Sequence, residues 1–131
     1  MIKRYTLPEM QKIWSDENRF RIWLEIEILS AEAWSEIGEV PKEAIPVIRR
    51  KAAFDPEAIQ KLEAVNNHEM IAFLENVQTS IGPEGRYLHF GLTSSDVMDT
   101  GLAVQIKEAA LLIQKRVDRS YFRDSRKNSA V

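Results

Sequence analysis

Six apolar residues, Met98, Leu102, Ile106, Ala109, Ile113 and Val117, recur at intervals of three and four along the last third of the chain. Such spacing places them on one stripe of an α-helix about five turns long. A stripe of that length can be covered only by other long helices, so it directs the chain toward helical-bundle packing. The segments before it read as mostly shorter helices, and the residues after it, Arg119 to Val131, lose apolar periodicity abruptly. The pattern therefore predicts the first helix of a bundle, cut short and exposed, followed by a divergent and disordered tail over 119–131.

The upstream segments carry helix signals in succession. Thr6-Leu7-Pro8-Glu9 matches a capping box with proline in the first turn, opening a short helix through about Trp14. Ser15, followed by Asp16 and Glu17, starts a longer helix in which Phe20, Leu24, Ile28 and Ala31 keep helical spacing. Trp23, Ile26 and Trp34 widen that apolar face enough to predict burial on more than one side, and Gly38 supplies the stop. Pro41 and Pro46 bracket a short helical or 3-10 segment that ends in Arg49-Arg50-Lys51, charges suited to a helix C-terminus. Asp55-Pro56-Glu57 restarts a helix that Asn66-Asn67 breaks, and another carries Ile71, Phe73, Leu74 and Val77 toward Gly82. Gly82-Pro83-Glu84-Gly85 reads as a turn, Arg86 to Leu92 as an extended connector, and the last helix begins at Ser95. The predicted fold is all-α: a small N-terminal helical domain over 1–92, the start of a helical-bundle domain over 93–118, and the tail.

Composition narrows the chemistry. A chain of 131 residues, 44% hydrophobic and 29% charged, has the make-up of one globular domain with a real core. It has no cysteine, which excludes disulfides, a thiol nucleophile and thiolate metal sites. Met1-Ile2-Lys3-Arg4-Tyr5 lacks the apolar core of a signal peptide and no apolar run could span a bilayer, so a cytoplasmic location without membrane partners is expected. The net charge of −2 divides into +4 from Lys115 onward and −6 before it. The basic end has no stacking or glycine-rich motif, and nucleic-acid binding is not expected.

Candidate functional residues fall at segment boundaries. Gly91-Leu92-Thr93-Ser94-Ser95-Asp96-Val97-Met98-Asp99-Thr100 places three adjacent hydroxyls and two acids where a loop becomes a helix. Helix-start N–H groups point outward there, so the segment suits a carboxylate or phosphate, and it equally suits an ordinary N-cap. Arg4-Tyr5 offers a forked charge and a hydroxyl for a phosphate, or is simply a solvated terminus. Asn66-Asn67-His68-Glu69 puts an imidazole near a helix N-terminus, as substrate contact or as cap. Arg86-Tyr87-Leu88-His89-Phe90 adds a guanidinium and a second imidazole. No metal-ligand spacing, phosphate-cradling loop or dinucleotide fingerprint is present, so neither metal nor cofactor is expected.

Arg4-Tyr5, Trp23-Leu24-Glu25, Asn67-His68-Glu69 and above all His89-Phe90-Gly91-Leu92-Thr93-Ser94-Ser95-Asp96-Val97-Met98-Asp99-Thr100 resemble the N-terminal part of the bacterial adenylosuccinate lyases, over residues 1 to about 118. These belong to the fumarase and aspartase superfamily. The resemblance implies a role in purine biosynthesis, eliminating fumarate from adenylosuccinate to give AMP and from SAICAR to give AICAR, in a homotetramer. It implies that Arg4 and Tyr5 hold the nucleotide phosphate, Asn67, His68 and Glu69 line the substrate site, and Thr93 and Ser94 bind the succinyl portion. His89 becomes a further substrate contact, and His68 a participant in acid/base chemistry or a support for it. Glu69 stands where relatives commonly carry Asp, one methylene longer. The base, a serine on a mobile loop, and the principal acid, a histidine of a Thr-His-Gly segment, have no counterpart in this chain, so it is expected to be an N-terminal fragment inactive alone. The alternatives are a non-catalytic helical association module and a truncation or frameshift product.

Overall fold

The structure, a computed structural model, describes residues 5–128, with side chains as far as Arg119. These residues form six α-helices, α1 (Pro8–Ile13), α2 (Asp16–Glu36), α3 (Ala44–Lys51), α4 (Pro56–Asn66), α5 (Glu69–Ile81) and α6 (Ser94–Asn128), and a 3-10 helix, Pro83–Tyr87. No strand occurs among them, and the all-α expectation is borne out.

The spine is α2. The Ser15 hydroxyl accepts the Asn18 N–H at 3.2 Å to cap its start, and Gly38, at φ 89°, turns the chain away beyond its end. Its two-sided face packs α3 and α4, with α5 reaching it through Phe73, on one flank and α6 on the other. On the first flank Phe73 of α5 stacks on Phe20, with centroids 5.6 Å apart, and meets Trp23 edge-on at 5.5 Å. Each such pair contributes about 0.5–1.5 kcal/mol beyond burial. Ile48, Ile59, Met70, Val77 and Ile81 complete this core. Arg49 ties α3 to α2 by binding Glu32 (2.6 Å) and Glu25 (3.0 Å), and its hydrogen bond holds the Glu32 carboxyl below the ordinary range.

On the other flank α6 runs antiparallel to α2: Gly101 lies against Trp23, and Glu108 accepts from Asn18 at 2.9 Å. Val97, Gly101, Gln105 and Ala109 form the buried face, every fourth residue. A methyl group on Gly101 would come within 2.8 Å of Trp23 Cδ1, so glycine sets the approach of the two helices. Gln105 is admitted because its Nε2 donates to the Ile13 carbonyl at 2.7 Å. The apolar stripe that announced this helix lies beside that face instead of on it: Met98, Leu102, Ile106, Ile113 and Val117 are 37–61% exposed, and only Ala109 is buried. Hydrophobicity marks what a helix can bury, whereas close helix contact selects the smallest side chains. The expectation of an exposed bundle helix is thus met with a different inner face.

Four local readings are corrected. The capping box fails: Pro8 constrains Leu7 to an extended conformation and makes it the N-cap, with no side-chain cap bond, and Glu9 instead accepts from Arg116 at 2.9 Å. Arg86 to Leu92 is not extended; the 3-10 helix runs to Tyr87 and a turn closed by the Leu92 N–H on the His89 carbonyl follows. Pro46 lies inside the first turn of α3, where its missing N–H needs no acceptor. Beyond 118, where periodicity predicts an end, the backbone of α6 continues to Asn128, since no glycine or proline interrupts it. The tail side chains from 120 onward and residues 129–131 lie outside the described residues.

Candidate functional site

The predicted residues gather in two groups along α2. The first lies at the α4–α5 junction. Asn67 ends α4 in the left-handed conformation, φ 54°, and its N–H donates to the Glu63 carbonyl. His68 is the N-cap of α5: its N–H donates to Asn66 Oδ1 at 2.9 Å, and its Nδ1 accepts the Ile71 N–H at 3.3 Å. An accepting Nδ1 carries no proton, so the ring meets solvent through Nε2–H. Glu69 forms an ion pair with Arg19 of α2, whose guanidinium also lies 4.9 Å from the centre of the Phe20 ring and 5.0 Å from that of Trp23. Arg19 thereby docks the start of α5 on the spine.

The second group forms where the 3-10 turn meets α6. His89 takes a left-handed conformation, φ 63°, and its backbone N–H and Nδ1 both lie 2.6 Å from oxygens of Glu27, which is fully buried on α2. Two residues on, Gly91 has φ 73°, and a Cβ there would stand 2.7 Å from the Trp34 ring, so only glycine suits the turn. Thr93 precedes α6 and gives both its N–H (2.7 Å) and its hydroxyl (3.1 Å) to Asp96 Oδ2. This is the carboxylate half of a capping box, with Asp in place of Glu. The backbone bond from Thr93, then its hydroxyl bond, hold the Asp96 carboxyl below the usual carboxylate range, with a smaller contribution from the charge of His89. Ser94, half-buried, is the first residue of α6, where backbone N–H groups have no intrahelical acceptor and face outward.

The two groups lie at different heights along α2. Arg19, which carries the first, and Glu27, which carries the second, are separated by about 12 Å along the α2 axis. Tyr5 stands exposed at the start of the described chain, and Arg4 lies outside the described residues. The arrangement offers an imidazole, hydroxyls and helix-start N–H groups to an anion. Sequence reasoning passed over Glu27 and Arg19, and counted Asp96 among the acids of the segment without its Thr93 partner. The signal for Glu27 was present: it falls on the apolar face of α2 between Phe20, Trp23 and Ala31, and a carboxylate on a buried stripe needs a partner.

The chain as a whole is similar to known proteins. The family model described as Lyase matches residues 3–119. The chain is 48% identical over 118 residues to an adenylosuccinate lyase from Streptococcus mutans, covering 90% of this chain and 27% of that protein. It is 47% identical over 119 residues to one from Bacillus subtilis, covering 91% and 28%. Among solved structures, a fumarate lyase from Mesorhizobium sp. BNC1 superposes with a TM-score of 0.76 at 27% identity, over 83% of this chain and 26% of that one. A beta-carboxy-cis,cis-muconate cycloisomerase from Acinetobacter calcoaceticus superposes with a TM-score of 0.79 at 26% identity, over 88% and 29%. The chain thus spans little more than a quarter of the length of the curated relatives it matches. A family match across all but the ends of the sequence, joined to the same helical fold, means that this chain belongs to the Lyase family.

Proposed function

We propose that this chain supplies N-terminal substrate-binding elements of an adenylosuccinate lyase. The observation that carries the reading is identity of 47–48% across nine-tenths of the chain with curated adenylosuccinate lyases. The reaction is elimination of fumarate from adenylosuccinate to give AMP, and from SAICAR to give AICAR. It removes a proton beside a carboxylate, builds carbanion character that donors to that carboxylate stabilise, and expels nitrogen with help from an acid. The start of α6 suits the donor role: Ser94 and the outward N–H groups bind the succinyl portion, Thr93 joins them once its hydroxyl leaves Asp96, and His89 contacts the substrate beside them. Asn67, His68 and Glu69 line the nucleotide side, with His68 supporting acid/base chemistry, and Arg4 and Tyr5 hold the phosphate.

In this reading residues 1–92 are the helical domain and α6 opens the bundle of a cytoplasmic homotetramer of purine biosynthesis. In that tetramer the active sites are shared between subunits. Thr-His-Gly does not occur in the sequence. An acid or base contributes about 10²–10⁴-fold each, so the 131-residue chain is expected to release no fumarate from adenylosuccinate above a heat-denatured control. Binding tests the assignment directly. Titration with adenylosuccinate is expected to move the backbone amide resonances of Thr93, Ser94 and Ser95, and unchanged resonances at millimolar ligand would refute it.

A second reading, a non-catalytic association module, is favoured by the exposed stripe on α6. Its spacing is symmetric: an antiparallel copy sets Met98 against Val117, Leu102 against Ile113 and Asp99 against Arg116. Sedimentation decides it, since a mass that stays monomeric across concentration removes this reading.

A further inference from the structure

Glu27 is fully buried, and both of its oxygens are engaged by one residue far along the chain. Oε2 accepts the His89 backbone N–H and Oε1 lies against His89 Nδ1, each at 2.6 Å. Taking a carboxylate out of water costs several kcal/mol, and well-packed apolar side chains usually serve a buried position at least as well. Core packing therefore gives no reason for glutamate among Phe20, Trp23 and Ala31. The imidazole does. A carboxylate that accepts at both oxygens makes Nδ1 the donor, and leaves Nε2 as the nitrogen that faces away from the core. Asp96, the other acid beside the ring, is occupied by Thr93, so nothing on α6 competes for Nδ1.

We propose that Glu27 is a positioning residue for His89: it keeps a proton on Nδ1 and restricts the ring to exchanging protons and hydrogen bonds with a ligand through Nε2, beside the first turn of α6. Fixing one ring nitrogen to orient the other is a general device for histidines that touch ligands. Only the identity of the ligand rests on the adenylosuccinate reading; the ring's proton arrangement stands apart from it. The chain contains an internal reference, because its second histidine, His68, uses Nδ1 as an acceptor and so carries the opposite tautomer.

Ring ¹⁵N spectra of the 131-residue chain test this. The neutral rings are expected to differ, His89 with a protonated Nδ1 and His68 with a protonated Nε2. Glu27→Gln keeps one acceptor oxygen for two bonds, and is expected to shift His89 toward the Nε2–H form while His68 stays unchanged. It should also raise the Kd for adenylosuccinate roughly tenfold. An unprotonated Nδ1 on His89 in the wild-type chain overturns the proposal, and so does an unaltered His89 ring in folded Glu27→Gln. If the variant fails to fold, the wild-type spectrum still decides. Adenylosuccinate is expected to perturb Nε2 of His89, and perturbation of Nδ1 alone would overturn the proposal. Adenylosuccinate that moves no resonance at all counts against the binding reading, while the tautomer result continues to decide the role of Glu27.

Discussion

Replacing Gly91 with alanine tests how the turn before α6 is held. Two independent terms oppose the added methyl. The backbone sits at φ 73°, where an L side chain costs about 1–2 kcal/mol. The new Cβ would stand 2.7 Å from Trp34 Cζ2 and 3.2 Å from Cε2, and forcing a methyl against a packed ring costs about 1–3 kcal/mol. Trp34 cannot swing aside freely, because Phe90 meets it edge-on at 5.2 Å. Reduced freedom of the unfolded chain returns about 0.4–1 kcal/mol, leaving a net destabilisation of about 1–4.5 kcal/mol. Gly38 separates the terms: its φ is 89°, but nothing lies within 4 Å of an added Cβ, so Gly38→Ala should cost only about 0–1.6 kcal/mol. Urea denaturation followed by far-ultraviolet circular dichroism measures both in this chain. A double-mutant cycle with Trp34→Ala should recover about 1–3 kcal/mol of coupling between the methyl and the ring. Equal costs at positions 91 and 38, or a cycle with no coupling, would refute the claim that Trp34 dictates glycine here.

Three further perturbations follow from the same geometry. Phe73→Ala removes the ring that joins α5 to Phe20 and Trp23, and should cost about 3–5 kcal/mol in the same denaturation assay. Asp55 Oδ1 accepts the Glu57 and Ala58 N–H groups, so Asp55→Ala should cost about 1 kcal/mol, with α4 losing amide-exchange protection first. Because the folded-state pKa of Asp96 is depressed, its contribution is present above the unfolded value of about 3.9 and disappears as pH falls through the folded value. The stability difference between the wild type and Asp96→Asn should accordingly shrink as pH falls below about 4; a difference that persists undiminished at lower pH contradicts the Thr93–Asp96 cap.

Much of the architecture was legible in residue order because its causes are local. Ser15, Gly38, Asp55-Pro56 and Asn66-Asn67 act through their own backbone or the next turn, and each marks a boundary where expected. Where a local signal met a local constraint the reading failed: Pro8 overrode the Thr6 capping box by fixing the residue before it. Residue order likewise located His68, Glu69, His89 and Thr93 at segment boundaries, without the partners that hold them. Arg19 for Glu69, Glu27 for His89 and Trp34 for Gly91 come from α2, far away in the chain.

The division between the two kinds of information is clearest on α6. Its helical character and the hydroxyl-rich start at Thr93 and Ser94 follow from residue order, since spacing and capping act within a few residues, whereas its run on to Asn128 does not. Which face turns inward does not. The apolar stripe from Met98 to Val117 outweighs Val97, Gly101, Gln105 and Ala109 in hydrophobicity, yet the second set faces α2 because it lets Trp23 come close. Residue order records what each position could bury, whereas steric fit and the pairing of charges such as Glu27 depend on side chains that only folding brings together.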